Sequence, residues 1–150
     1  MSISRCGDNR MPTIPLLNRS YFPHLMKEET EIFVRWLAKY EDLYLAFDFD
    51  IRVGEGAIPS SAVTDKIDAG FKHLTQKRID VVGTQPEAIT IFEVRPRATQ
   101  TALGNLLGYA TLYRDKFRPF KPVKLGVITD RISADDRAIM DSYNVDVYVV

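Results

Sequence analysis

Apolar residues recur along this chain with two periods, and the switches between them mark out its elements. The stretch 78–97 reads R-I-D-V-V-G-T-Q-P-E-A-I-T-I-F-E-V-R-P-R. Its apolar positions are β-branched or aromatic, as strands prefer. It predicts two strands, 78–83 and 88–95, joined by a turn at 84–87, with Pro96 ending the second. Upstream, Leu45, Phe47, Phe49, Ile51 and Val53 alternate with Ala46, Asp48, Asp50 and Arg52. This predicts a strand over 43–53, with Asp48 and Asp50 on its wet face. Phe33, Trp36, Leu37 and Tyr40 recur at three and four, which predicts a helix over 27–40. A second helix is expected over 99–116, capped by Thr99. Leu103, Leu106, Leu107, Ala110, Tyr113 and Phe117 share its broad apolar face, and Gly104 and Gly108 are placed to let it approach the sheet. A strand at 123–129, a helix opened by Ser133 and closed near Tyr143 and Asn144, and a strand at 145–150 complete the order.

Between these elements, 54–61 reads as a loop. Residues 62–76 read as a short helix or an irregular excursion, because Gly70 interrupts a weak three-and-four spacing. Residues 1–23, punctuated by Pro12, Pro15 and Pro23, read as an extended arm ahead of a domain at 24–150. Ile14, Leu16, Leu17, Tyr21 and Phe22 are apolar enough for that arm to pack on its own domain or hold a neighbour. The order helix, three strands, helix, strand, helix, strand implies a meander followed by parallel crossovers. The expected fold is therefore α/β, a mixed central sheet flanked by helices.

Three ionisable residues interrupt the apolar hairpin: Asp80, Glu93 and Arg95. Strand side chains alternate, so Glu93 and Arg95 point the same way. In a hairpin, Asp80 can lie beside Glu93. Two carboxylates and a cation at one sheet position are costly unless they serve each other or a metal. Glu28, Glu29 and Glu31 suit the positive end of the first helix. Glu29 falls on its buried edge.

Asp80 on one strand and Glu93-Val94-Arg95 on the next resemble the core of the PD-(D/E)XK nuclease-like superfamily, with Arg95 where that family usually has Lys. The resemblance implies a restriction-endonuclease-like α-β-β-β-α-β-α-β fold over 27–150. It implies that Asp80 and Glu93 bind Mg²⁺ or Mn²⁺, with Glu29, or else Glu31, assisting. Asp80, Glu93 and Arg95 would form the catalytic set. Lys72 or Lys77 are the candidates to replace the family's Lys. Asn105 and Tyr109, one turn apart on the second long helix, resemble the Gln-x-x-x-Tyr by which family members contact DNA or orient the site. Arg97 joins them as a candidate contact to nucleic acid.

Composition narrows the remaining choices. The 150 residues are 45% hydrophobic and 27% charged with zero net charge, so a strong non-specific nucleic-acid binder is not expected. The charge is uneven, however. Arg95, Arg97, Arg114, Lys116, Arg118, Lys121 and Lys124 stand against Asp115 alone between 95 and 124. That segment could contact phosphates, or its cations could complement a helix end. Cys6 is the lone cysteine, which excludes an internal disulfide and fits a reducing compartment. His24 and His73 show no zinc spacing and read as surface or packing residues. No secretory signal and no transmembrane span are expected, and there is no Gly-rich phosphate loop. Two functions follow from the resemblance. One is a metal-dependent nuclease acting on DNA, in the cytoplasm. The other is an inactive nuclease-fold adaptor held in an assembly by residues 1–23, for which small size suits a phage particle.

Overall fold

The computed structural model describes residues 19, 21–57, 70 and 72–150. Most of the arm expected over 1–23 and most of 62–76 lie outside these residues. The elements are α1 (Lys27–Tyr40), β1 (Ala46–Val53), β2 (Lys77–Thr84), β3 (Ile89–Ala98), α2 (Gln100–Phe117), β4 (Val123–Ile132), α3 (Ala134–Ser142) and β5 (Val145–Val149). The five strands form one sheet in the order β1-β2-β3-β4-β5. β1, β2 and β3 are antiparallel neighbours, and β4 and β5 continue in parallel. The expected mixed α/β sheet is thus present. Among the described residues no helix is long and apolar enough to cross a membrane.

The helices start where their capping residues dictate. The Thr99 hydroxyl accepts the Thr101 N–H, and Ser133 Oγ accepts the Asp136 N–H. Arg118 and Asn144, with φ of 44° and 56°, stop α2 and α3 in the left-handed conformation that ends many helices.

Each face of the sheet carries its own core. Under α1 it is aromatic: Phe22, Phe33, Trp36 and Phe92 are fully buried with Leu37, Val81, Val94 and Ile128. Trp36 crosses Phe92 at 4.9 Å and stacks on Phe33 at 5.8 Å. Phe22 also lies here, so the end of the expected arm is part of the domain. Gly126 and Gly83 admit these rings: a Cβ at Gly126 would meet Phe92 at 2.7 Å, and one at Gly83 would meet Tyr44 at 2.8 Å. Under α2 and α3 the core is aliphatic, from Val53, Ile79, Val82, Ile91, Leu103, Leu106, Val127 and Met140. Each fully buried large side chain stabilises the fold by about 1.5–3 kcal/mol over its exposed state.

Several local expectations change. β1 begins at Ala46, and Leu43 and Leu45 are exposed. A short 3₁₀ turn over Glu41–Leu43 sets the strand back. Gly104 and Gly108 face open space instead of the sheet, and Leu107 is exposed beside them. Pro96 does not end β3, which runs on to Ala98. Over that last part β3 pairs only with β4, so the missing Pro96 N–H breaks no ladder on the other side.

That one-sided pairing positions the site. The β2–β3 ladder runs from Thr84–Ile89 to Val81–Phe92 and stops. Beyond it β2 pairs with β1 down to Lys77, while β3 pairs with β4 up to Ala98. The sheet forks at Asp80 and Glu93.

Candidate active site

Glu93 follows Ile91 by two residues, and Ile91 with its ladder partner Val82 faces α2. Alternation therefore keeps Glu93 on the α2 side. Asp80 precedes Val82 by two residues, where β2 changes faces between Val81 and Ile79. In place of a main-chain bond across the fork, Asp80 Oδ2 accepts the Val94 N–H at 3.1 Å. Asp80 is 2% exposed and Glu93 fully buried.

Glu93 is bonded lopsidedly. Its Oε1 accepts from Arg95 Nε at 2.9 Å and Asn105 Nδ2 at 3.1 Å, and lies 2.6 Å from Arg95 Nη2 in the same ion pair. Its Oε2 is buried and accepts no hydrogen bond from the described residues. Arg95 Nη1 turns toward α1 and meets Glu29 Oε1 at 2.8 Å. The other Glu29 oxygen accepts the Met26 N–H at 2.9 Å and so caps α1. Glu29, itself buried, thus ties the start of α1 to the fork. Glu31 is exposed and points elsewhere. Lys72 and Lys77 are exposed and make no bond to the cluster among the described residues.

His24 also belongs here, which the sequence reading missed. Its Nε2 lies 3.6 Å from Asp80 Oδ1, and its φ is 69°, strained for a residue with a side chain. Nothing local in the sequence signals this position. Asp50 is partly exposed and ion-paired. It binds Arg78 through both oxygens at 2.6 and 2.7 Å, while Asp48 is exposed as expected. The φ of 54° at Asp50 marks a switch of faces. Phe49 and Val81 pack on the aromatic side, whereas Ile51 and Ile79 pack on the aliphatic side.

Three carboxylates therefore share one permanent cation, and the protonation equilibria respond. Burial, then the Glu93 charge, pushes Asp80 up to about 7; the Val94 bond and Arg95 pull the other way. Burial, helped by Arg78 and Arg95, lowers His24 against the opposing pull of Asp50 and Glu29. Burial works against the charge on Arg95, but Glu93, Asp80 and Glu29 more than offset it and raise its pKa. Burial, then Glu93 and Asp80, pushes the buried Tyr109 up to about 12. Tyr109 and Asn105 both stand on α2 against these acids. Arg97 is exposed and sits beside Arg131 of β4.

Among the described residues, no three His, Cys, Asp or Glu side chains form a ready-made metal cluster. Mg²⁺ asks for less, commonly one or two carboxylates with water completing its shell. The open Oε2 of Glu93 and the carboxyl of Asp80 fit that donor set. Comparison with family models, with curated proteins and with solved structures gave no match.

Proposed function

We propose that this is a nuclease-like, DNA-processing protein that hydrolyses phosphodiesters with a divalent cation held by Asp80 and Glu93. The observation that carries the reading is the fully buried Glu93 with one oxygen bonded by two donors and the other without a partner among the described residues, at a fork shared with Asp80. A buried carboxylate oxygen without a donor costs several kcal/mol, roughly. A cation bound there would offset it. The antiparallel β1-β2-β3 meander followed by parallel β4 and β5 supports the resemblance to the PD-(D/E)XK, restriction-endonuclease-like core.

Bound Mg²⁺ or Mn²⁺ supplies positive charge to the developing transition state and acidifies water. The chain's own residues do the rest. Arg95 and Asn105 fix Glu93 through one oxygen, and the other would be the one to hold a cation. Asp80 would hold the cation as a carboxylate, which requires loss of the proton that burial favours, and His24 Nε2 stands 3.6 Å from it. Arg95 stays protonated and cannot act as a base, but its guanidinium can grip a phosphate. Glu29 holds that guanidinium in place.

A specific observation also favours an adaptor on the same fold. Arg95 bridges Glu93 and Glu29, an ion-pair cluster that needs no metal to hold it together, and replacing Lys by Arg removes a titratable amine. In that reading residues 1–23 anchor the domain in a larger assembly. Titration of Mg²⁺ and Mn²⁺ with plasmid and single-stranded DNA separates the two. Metal-dependent cleavage abolished by Asp80→Asn and by Glu93→Gln supports the nuclease. No cleavage by the wild type, or cleavage untouched by both substitutions, contradicts it. Loss of assembly on trimming the first residues, with the domain still folded, supports the adaptor.

A further inference from the structure

The turn between α2 and β4 carries a second concentration of charge, arranged unlike the first. Phe120 stands at this turn wholly in solvent, with 108% relative exposure, and Phe117, three residues before it, is 46% exposed. Lys116 Nζ lies 5.1 Å from the Phe117 ring centre, and Tyr113 packs on that ring at 4.6 Å. Arg118 is exposed beside them, and its left-handed φ of 44° turns the chain outward.

The cations here are held without being neutralised. Arg114 Nη2 donates to the Val123 carbonyl, Lys116 Nζ to the Arg52 carbonyl and Lys121 Nζ to the Gln85 carbonyl. None of the three pairs with a carboxylate among the described residues. The helix dipole accounts for Arg114 and Lys116 at the end of α2. It does not account for Lys121, nor for an aromatic ring left fully in water beside them.

We propose that this turn binds single-stranded nucleic acid, with Phe120 and Phe117 as stacking platforms and Lys116, Arg118 and Lys121 as phosphate contacts. Along the chain, cations at 116, 118 and 121 alternate with the exposed rings at 117 and 120, as a single strand alternates phosphates and bases. A duplex keeps its base faces inside and gives Phe120 nothing to stack on. The proposal rests on these rings and charges, not on hydrolysis at Asp80 and Glu93.

The test is fluorescence anisotropy of labelled oligothymidylate with the full chain in EDTA, across a salt series. Wild type is expected to bind, and Phe120→Ala to weaken binding on the order of tenfold. Phe120→Trp should restore it. Phe120 buries nothing, so its loss leaves the fold intact, which circular dichroism checks. Lys116→Ala and Arg118→Ala should each flatten the dependence of log K on log salt by about 0.7. Absence of binding overturns the proposal, as does binding indifferent to Phe120→Ala. So does duplex DNA that binds as tightly with the same sensitivity to Phe120, or capture by phosphatidylserine vesicles in place of the oligonucleotide. Phe120-dependent binding by a protein that never cleaves contradicts the hydrolytic reading alone. Cleavage without such binding overturns this proposal alone.

Discussion

Asp50 and Asp80 stand at facing positions of neighbouring strands, between the Phe49–Val81 and Ile51–Ile79 pairs. Their surroundings drive them in opposite directions. Asp50 is partly exposed and has Arg78 to itself, and that hydrogen-bonded pair lowers its pKa. Asp80 is buried, shares Arg95 with Glu93 and Glu29, and is raised to about 7. The difference lies in access to water and in the number of cations within reach, not in residue type. One aspartate is a surface ion pair. The other belongs to a group whose negative charge exceeds what its partners among the described residues supply.

The sharpest way to break this contrast is to remove the shared cation. Arg95→Ala leaves Glu93 charged and buried without a counter-ion. Chemical denaturation should show a loss of about 3–5 kcal/mol. Adding Glu93→Gln should recover most of it, because the charge that needed Arg95 is then gone. A loss below about 1 kcal/mol would place Arg95 among ordinary surface pairs.

Next in size is Asp80→Asn, read against pH. The folded pKa of Asp80 lies above its ordinary value of 3.8, so between about pH 4 and 7 the folded state binds more protons than the unfolded state. This contribution to stability is full below pH 4 and is lost as pH rises through about 7. Asn keeps an acceptor for the Val94 N–H and cannot ionise. The variant should therefore exceed wild type by a few kcal/mol near pH 8, at about 1.4 kcal/mol per pKa unit, with the gap closing toward pH 4. A gap that grows as pH falls would contradict the assignment.

Asp50→Asn should give the opposite slope with a smaller amplitude. A lowered pKa contributes stability above the unfolded value and loses it as pH falls through the folded one. The variant should therefore cost about 1 kcal/mol or less near neutrality and nothing in acid. The smallest effect is expected at Lys124–Asp146, separated by 3.5 Å with both side chains about half exposed. Lys124→Ala should change thermal stability by less than about 0.5 kcal/mol, screened further by salt.

Much of the architecture was legible because its signals are local. Thr99 and Ser133 cap where their hydroxyls suggest, and the run of β-branched residues around Asp80 and Glu93 forms the expected hairpin. The shared orientation of Glu93 and Arg95 follows from alternation alone. The faults lie where tertiary pairing decides. Alternation through Leu45, Phe47, Phe49, Ile51 and Val53 looks unbroken, yet the positive φ at Asp50 turns Ile51 to the other face, and composition carries no mark of that. Pro96 reads as a strand end unless one knows that β2 has already left β3. Gly104 and Gly108 read as a close approach, but the phase of α2 turns them outward. His24 reaches Asp80 only through the folded chain. The acids of the candidate site stand out in the sequence, while the fork between their strands does not.

Calorimetric titration of Mn²⁺ into wild type and Glu93→Gln, near pH 7, tests the shared position most directly. The expected result is a single saturable site in the wild type, with protons released as Asp80 ionises, and its loss in Glu93→Gln while the fold survives. Wild type that binds no divalent cation, or binding that Glu93→Gln leaves unchanged, would contradict the claim that Asp80 and Glu93 form one cation site.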